Sequence, residues 1–499
     1  MSQEQQQHRA RRASHGEPAE GKPGSRVTAR EVRAVGVVVA GAFIALLNQT
    51  VMSPALPSLM AAFGVGAATA QWVTSIYMLV NGIMVPVSGW LIDKFSTRAL
   101  FFGSMAAFIV GTALCAVAPT FGVLICGRVL QAAAAGVQLP LVATVPMLVF
   151  PPEKRGTAMG MAGIVMSAGP AVGPVVGGAI LDAFGWRMLF WAIVPLALAV
   201  LAASVVALTN VGRLKNPRLD VASVLLSTVA FGGLLYGFST ASSAGWGSAQ
   251  VILPIVAGAV ALVAFVARQR SLDEPLLRIG TLKTPAFRDA AILVTLINAA
   301  VAATNVTLPI FLRTALGASA LETGVVMMPA AAVGIVLSPV SGIVFDRFGA
   351  RGIGIFGLAL MTGALAALAT VGPATTLVMV AVACAAQASG QALANMPINT
   401  WGVNSLAYDM IAHGNAVANT GRQVAGAMAT ALIVTLMTSA TSAASSSGSS
   451  VEQATASGVA AAYLACAAIS LVALAVCVVR VSEKRRGIAK PAEKQGDRA

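Results

Sequence analysis

The sequence predicts an all-α polytopic membrane protein, with fourteen transmembrane helices arranged as two related six-helix bundles plus two additional helices. Three observations carry this expectation. The chain has 499 residues, of which 57% are hydrophobic and 10% charged, and its mean hydropathy is +0.83. Soluble globular domains of this size do not have such a composition. Fourteen apolar segments approach the ~20 residues that a helix needs to cross the hydrocarbon core. They run 34–58, 71–92, 99–119, 122–149, 157–182, 186–208, 220–241, 249–267, 289–312, 322–345, 352–372, 375–400, 413–437 and 457–480. Finally, a polar loop signature occurs twice. Gly89, Asp93, Lys94, Phe95 and Arg98 return as Gly342, Asp346, Arg347, Phe348 and Arg351, offset by 253 residues at each position. An internal repeat between membrane spans marks two related halves.

Taken in order, residues 1–32 are polar and basic, with no apolar core or cleavage site, and read as a cytosolic tail. Residues 33–210 hold the first six-helix bundle. One such bundle is shorter than the 253-residue offset, so 211–288 are left for two additional helices and the basic linker Arg268–Arg288. Residues 289–482 make the second bundle, and 483–499 a cytosolic C-terminal tail. The Ser/Thr/Ala-rich stretch Thr438–Thr455 reads as a flexible outer loop.

The net charge of +14 raises the question of nucleic acid, and its distribution argues against it. Of 32 Lys and Arg, 28 fall in the tails and alternate loops, two in the opposite loops (Arg187, Arg313) and two within spans (Arg128, Arg422). That asymmetry orients both termini toward the cytoplasm. The five cysteines lie in apolar stretches without metal or disulfide spacing. Gly352, Gly354 and Gly357 fit a dinucleotide pattern but open a membrane helix with no strand before them. No Walker sequence supports ATP drive, and no nucleophile–base pair points to an enzyme. No cofactor or metal is expected, and His413 reads as a residue flanking helix 13.

Further motifs lie within the spans. Arg128-Val129-Leu130-Gln131 with Gly136 occupies helix 4. Gly169-Pro170-Ala171-Val172-Gly173-Pro174-Val175-Val176-Gly177-Gly178 occupies helix 5. Leu47-Asn48-Gln49-Thr50 through Ala55-Leu56-Pro57 ends helix 1, and His413-Gly414-Asn415 with Asn419-Thr420-Gly421-Arg422-Gln423 opens helix 13. With the repeated loops, these resemble the major facilitator superfamily, specifically its fourteen-span drug:proton antiporter family and a bacterial branch of multidrug and antibiotic-resistance exporters. The resemblance covers about 34–480. It implies proton-driven efflux of small amphipathic substrates across the bilayer by two bundles rocking about a central site.

Each motif then takes a role. The repeated loops, with Gly89, Asp93, Arg98, Gly342, Asp346 and Arg351, would form conformational latches, since a carboxylate near the N-terminus of a neighbouring helix is favoured by the helix dipole. Gly169, Gly173 and Gly177 share one helix face, which permits close backbone approach, while Pro170 and Pro174 bend the helix. With Gly178 they form the run that, by resemblance, hinges and seals the interface between halves. A charge within a span is expensive and usually functional, so Arg128 and Arg422 are coupling candidates, the first by resemblance coupling proton to substrate binding. Asn48 stands where many members of that family carry Asp, and it cannot titrate. None of the 18 acidic residues falls at the centre of a span. Asp182 and Glu322, near the outside, are the remaining candidates for proton binding. Asn48, Gln49, Tyr77, Asn81, Gln131, Asn298, Asn305, Gln391 and Asn395 suggest an amide-lined cavity. Two core arginines without a matching acid favour neutral or anionic amphiphiles over dications. The rival readings are a dedicated exporter of one antibiotic or metabolite, such as a self-resistance pump, and a non-transporting sensor or scaffold. The second would need neither latch nor seal.

Overall fold

The computed structural model describes residues 29–52, 55–70, 72–151, 154–208, 210, 220–272, 275–302, 304–318 and 320–482. The tails 1–28 and 483–499 and the side chains of Pro170, Pro174 and Asn305 lie outside the described set. Every regular element among the described residues is helical. The long helices are α1 (Ala29–Thr50), α2 (Trp72–Lys94), α3 (Thr97–Ala116), α4 (Phe121–Val149), α5 (Arg155–Phe184), α6 (Trp186–Ala207), α7 (Val221–Ala244) and α8 (Ala249–Ser271). They continue as α9 (Pro285–Ala302), α10 (Ala320–Phe348), α11 (Ala350–Leu368), α12 (Leu377–Asn404), α13 (Ile411–Ser446) and α14 (Val451–Arg480). Beyond α9 the same span runs on through Thr304–Ile310 and a π turn, Phe311–Ala315. Twelve spans are long and apolar enough to cross a membrane, and α2, bent by 54° between Met84 and Val87, makes thirteen. The remaining long helix, α5, has 30 residues.

The ends of these helices follow from local chemistry. Ser96, Thr120, Thr376 and Ser450 accept hydrogen bonds from the first-turn amides of α3, α4, α12 and α14, satisfying donors that have no partner within the helix. Single glycines, Gly185 (φ 79°) and Gly349 (φ 81°), separate α5 from α6 and α10 from α11. A backbone at that φ suits glycine, which carries no Cβ.

Two apolar cores form, one within α1–α6 and one within α9–α14. A smaller cluster joins them, with Met147 and Met159 from one half meeting Phe287, Val403 and Leu406 from the other. The loop expected over Thr438–Thr455 is instead helix: α13 runs to Ser446 and α14 starts at Val451. Ala is a strong helix former, and Thr438, Thr441 and Ser446 return their hydroxyls to carbonyls three or four residues back. Only the turn around Gly448 (φ 85°) interrupts the run.

The α7–α8 hairpin lies along the seam between the two halves. Leu235 packs over Gly82 of α2, and the Trp72 and Tyr236 rings stack at 5.7 Å. On the other half, Trp246 Nε1 donates to Thr435 Oγ1 of α13 at 2.7 Å. At the hairpin base Arg268 donates to Asp220 at 2.6 and 2.9 Å. These hydrogen bonds hold the Asp220 carboxyl well below the usual carboxylate range. Gln269 donates to Ser223 and accepts from the Leu277 amide, which fastens the linker after α8. Leu276 and Leu277 then pack with Trp90 and Ala416, one residue from each half.

Candidate functional site: the seam and its latch end

The α5 helix starts without a local cap, because Lys154 precedes it and offers no side-chain acceptor. Its free amides find Asp346, at the end of α10 in the other half. The carboxylate accepts from Gly156 N at 2.9 Å, Thr157 N at 2.8 Å and Thr157 Oγ1 at 2.6 Å. A helix N-terminus capped by a carboxylate gains from both hydrogen bonding and the dipole. Arg155 adds a bond to Asn404 Oδ1 at 3.0 Å.

The first copy of the signature occupies the related position. The α13 helix also begins without a side-chain cap, after Met410. Asp93 sits at its start, and Oδ2 lies 3.2 Å from Nε2 of His413, the third residue of α13. Thr157 is likewise the third residue of α5. Both carboxylates therefore reach across the seam to the first turn of a helix in the opposite half. His413 and Asp93 are 3% and 14% exposed, so this pair is screened from water.

Glycines permit the approach. A Cβ on Gly342 would collide with the backbone of Gly156 and Thr157, and one on Gly160 would lie 2.7 Å from Ser338 O. Gly163 meets the Ser338 side chain in the same way. From Gly156 to Gly163 this contact follows about 10 Å of helix. On the related side, Gly89 faces His413 and Ala416. The residues of the helix-5 run do something else. Gly169, Gly173 and Gly177 face Leu46 and Thr50 of α1 and Val51 just after it, within the same half, so their close packing is internal to the first bundle. The crossing between halves is made by Gly156, Gly160 and Gly163, whose small-residue spacing on the same helix was the signal available in the sequence.

Past the latch end, polar bonds between the halves continue to mid-helix: Asn415 Nδ2 donates to Thr144 Oγ1 at 3.3 Å and Gln423 Nε2 to Asn81 Oδ1 at 3.3 Å. Between them is a small cavity walled by α4, α5, α12 and α13, with Asn399, Asn415, Asn419 and Arg422 as its polar lining and Met159 and Met396 among its apolar lining. Arg422 lines the cavity and donates from Nη2 to Asn419 Oδ1 at 2.8 Å, one turn back on its own helix.

Arg128 lies apart from this cavity, fully buried in the first bundle. Nε donates to Val73 O at 3.0 Å, and Nη1 to Gln131 Oε1 at 3.0 Å and Asn48 O at 3.4 Å. The guanidinium rests 4.4 Å over the Tyr77 ring, and Tyr77 donates to Ala45 O at 2.9 Å. Gln131 passes the chain to Thr112 at 2.9 Å. The set ties α1 to α4 through neutral partners, with the Asn48 amide buried beside it. Of the other residues singled out in the sequence, Asp182 and Glu322 are exposed at the far ends of α5 and α10. Arg98 and Arg351 reach the carbonyls of Val205 and Val478 within their own halves, and Asn298 bonds to its own helix at Val294 O. Gln49, Gln391 and Asn395 are half-buried. The cavity amides Asn415 and Asn419, with Arg422, recur at positions one helical face would share. That stripe is the sequence signal for the cavity.

Two helical bundles, a polar seam closed at one end and a cavity between them define a polytopic membrane protein of the transporter class. Residues 38–430 match the family model of the Major Facilitator Superfamily, and the chain belongs to that superfamily, whose members are transporters rather than enzymes. It is 39% identical over 461 residues to "Uncharacterized MFS-type transporter YcnB" of Bacillus subtilis, covering 92% of this chain and 96% of that one. It is 35% identical over 410 residues to "Lincomycin resistance protein LmrB" of Listeria monocytogenes, covering 82% and 87%. The solved MFS proton:xylose symporter XylE aligns with TM-score 0.62 and 13% identity, covering 90% of this chain and 95% of that chain, a likeness of fold. The lincomycin-resistance relative is consistent with the bacterial drug-exporter branch of the superfamily.

Proposed function

We propose that this chain expels amphipathic drugs or antibiotics across the bacterial plasma membrane in exchange for protons, by alternating access. It does so with fourteen spans and both termini in the cytoplasm. The observation that carries the reading is the pair of trans-seam carboxylates, Asp346 capping α5 and Asp93 bound to His413 in the first turn of α13. Two related carboxylates close one end of the seam while the cavity lies just beyond them, a geometry suited to a gate that opens and shuts as the halves rock. With the basic loops inside, the closed end faces the cytoplasm, and the conformation is the one that has left the inner face. The name of the lincomycin-resistance relative supports antibiotics as cargo. The test uses inside-out vesicles energised to an acid interior. Addition of lincomycin or another amphipathic drug should dissipate the pH gradient, and an Asp93→Asn/Arg128→Ala control should not respond. A gradient unmoved by any drug, with the protein verified in the membrane, would refute proton exchange.

A further inference from the structure

The two arginines within the spans, Arg128 fully buried and Arg422 half-buried, are held in different ways. Arg128 has acceptors on two other helices, Asn48 O of α1 and Val73 O of α2, and a third on its own, leaving Nη2 alone without one. Among the described residues Arg422 has one hydrogen bond, to a side chain one turn back on its own helix, and its buried Nε has no partner. Among the described residues no Asp or Glu lines the cavity that Arg422 borders; the other polar lining is three neutral asparagines. A guanidinium in such a place lacks the countercharge that normally offsets its desolvation, and its fork of donors matches a planar oxyanion. The rest of the lining is apolar and includes methionine side chains that adapt to varied shapes.

We propose that Arg422 reads the charge of the cargo once the seam widens: its guanidinium receives the oxyanion of an anionic amphiphile (a carboxylate, sulfonate or phosphate), while Met159 and Met396 line the enlarged space that takes the apolar body. This rests on the reading of the seam cavity as the substrate site. Asn419 holds the guanidinium in place until cargo arrives, and Asn399 and Asn415 hydrogen-bond the polar part of the bound molecule.

The test is binding of 7-diethylaminocoumarin-3-carboxylate and its neutral ethyl ester to the full chain in nanodiscs of neutral lipid, followed by fluorescence anisotropy. The wild type should bind the carboxylate about tenfold or more tightly than the ester, as a charge-assisted hydrogen bond implies. Arg422→Gln should abolish that preference with ester binding unchanged, and Arg422→Lys should retain most of it. Equal affinity for the two probes in the wild type, or a preference that survives Arg422→Gln, would overturn the assignment of charge reading to Arg422. Binding of neither probe above empty nanodiscs would overturn the cavity as substrate site, and this proposal with it. Should Arg422→Gln lose the ester too, Asn399→Asp decides: a carboxylate in the same cavity should lower carboxylate affinity about tenfold, and an unchanged preference contradicts the proposal.

Discussion

At the residue scale, the seam is held by groups that each half lacks alone. The amides of Gly156 and Thr157 have no local acceptor, and Asp346 supplies one from a helix 190 residues away. Opening the seam hands these donors to water and removes a carboxylate from a helix N-terminus. Replacing Asp346 with Ala should therefore destabilise the closed latch by about 1–2 kcal/mol, a shift of roughly five- to thirtyfold in the closed-to-open ratio. Asp346→Asn keeps one acceptor oxygen and should lie between. The check is the alkylation rate of a cysteine placed at Asn399 by an impermeant maleimide added at the latch end, which should rise in the order wild type, Asn, Ala. Packing makes a separate demand. A Cβ at Gly342 meets the backbone of Gly156, which is not a flexible side-chain tip, whereas one at Gly178 meets nothing within 4 Å. Gly342→Ala should raise the same alkylation rate at an overpacking cost of about 1–3 kcal/mol, and Gly178→Ala should leave it unchanged.

At the element scale, the α7–α8 hairpin bridges the halves, touching α2 through Leu235 and Tyr236 and α13 through Trp246. Its base is fastened by the Asp220–Arg268 pair, which is partly exposed at 20% and 41%. Because the Asp220 carboxyl is depressed in the folded chain, its contribution is present above the ordinary carboxylate range and is lost as pH falls through the lower folded value. Thermal unfolding of the wild type should therefore shift downward on acidification more than that of Asp220→Asn, with a small difference because solvent screens the pair. The helices, their order and the repeat were legible in the sequence, since hydropathy and a recurring loop depend on local composition. Trans-seam partners were not: His413 lies 320 residues from Asp93, and nothing local to either residue announces the other. The glycine run at 169–177 shows a second limit. Spacing identified a close-packing face, but only the packing of α5 reveals that this face meets α1 of its own half. The Ser/Thr-rich end of α13 was misread as a loop because its hydroxyls are satisfied by the helix's own carbonyls.

At the scale of the whole molecule, the two cores are separate and are joined by a seam whose hydrogen bonds run from the latch end to Asn81 and Gln423. The α5 helix shares its first turns with α10 of the other half and its later turns with α1 of its own. Such a helix can release one end of the seam while its own bundle stays intact, which is what a rocking transition requires. Most of the remaining helix surface is apolar, as a lipid environment demands. The central claim is that the two ends of the seam open in alternation. Spin labels at Lys154 and Phe348 report the latch end, and labels at the exposed Phe184 and Val325 report the far end. Double electron–electron resonance on each pair in lipid nanodiscs, with and without lincomycin and between pH 5 and 8, tests the claim most directly. The account predicts two distance populations for each pair, with the latch-end pair lengthening as the far-end pair shortens. Distances that stay single-valued under every condition, or two ends that open together, would contradict it.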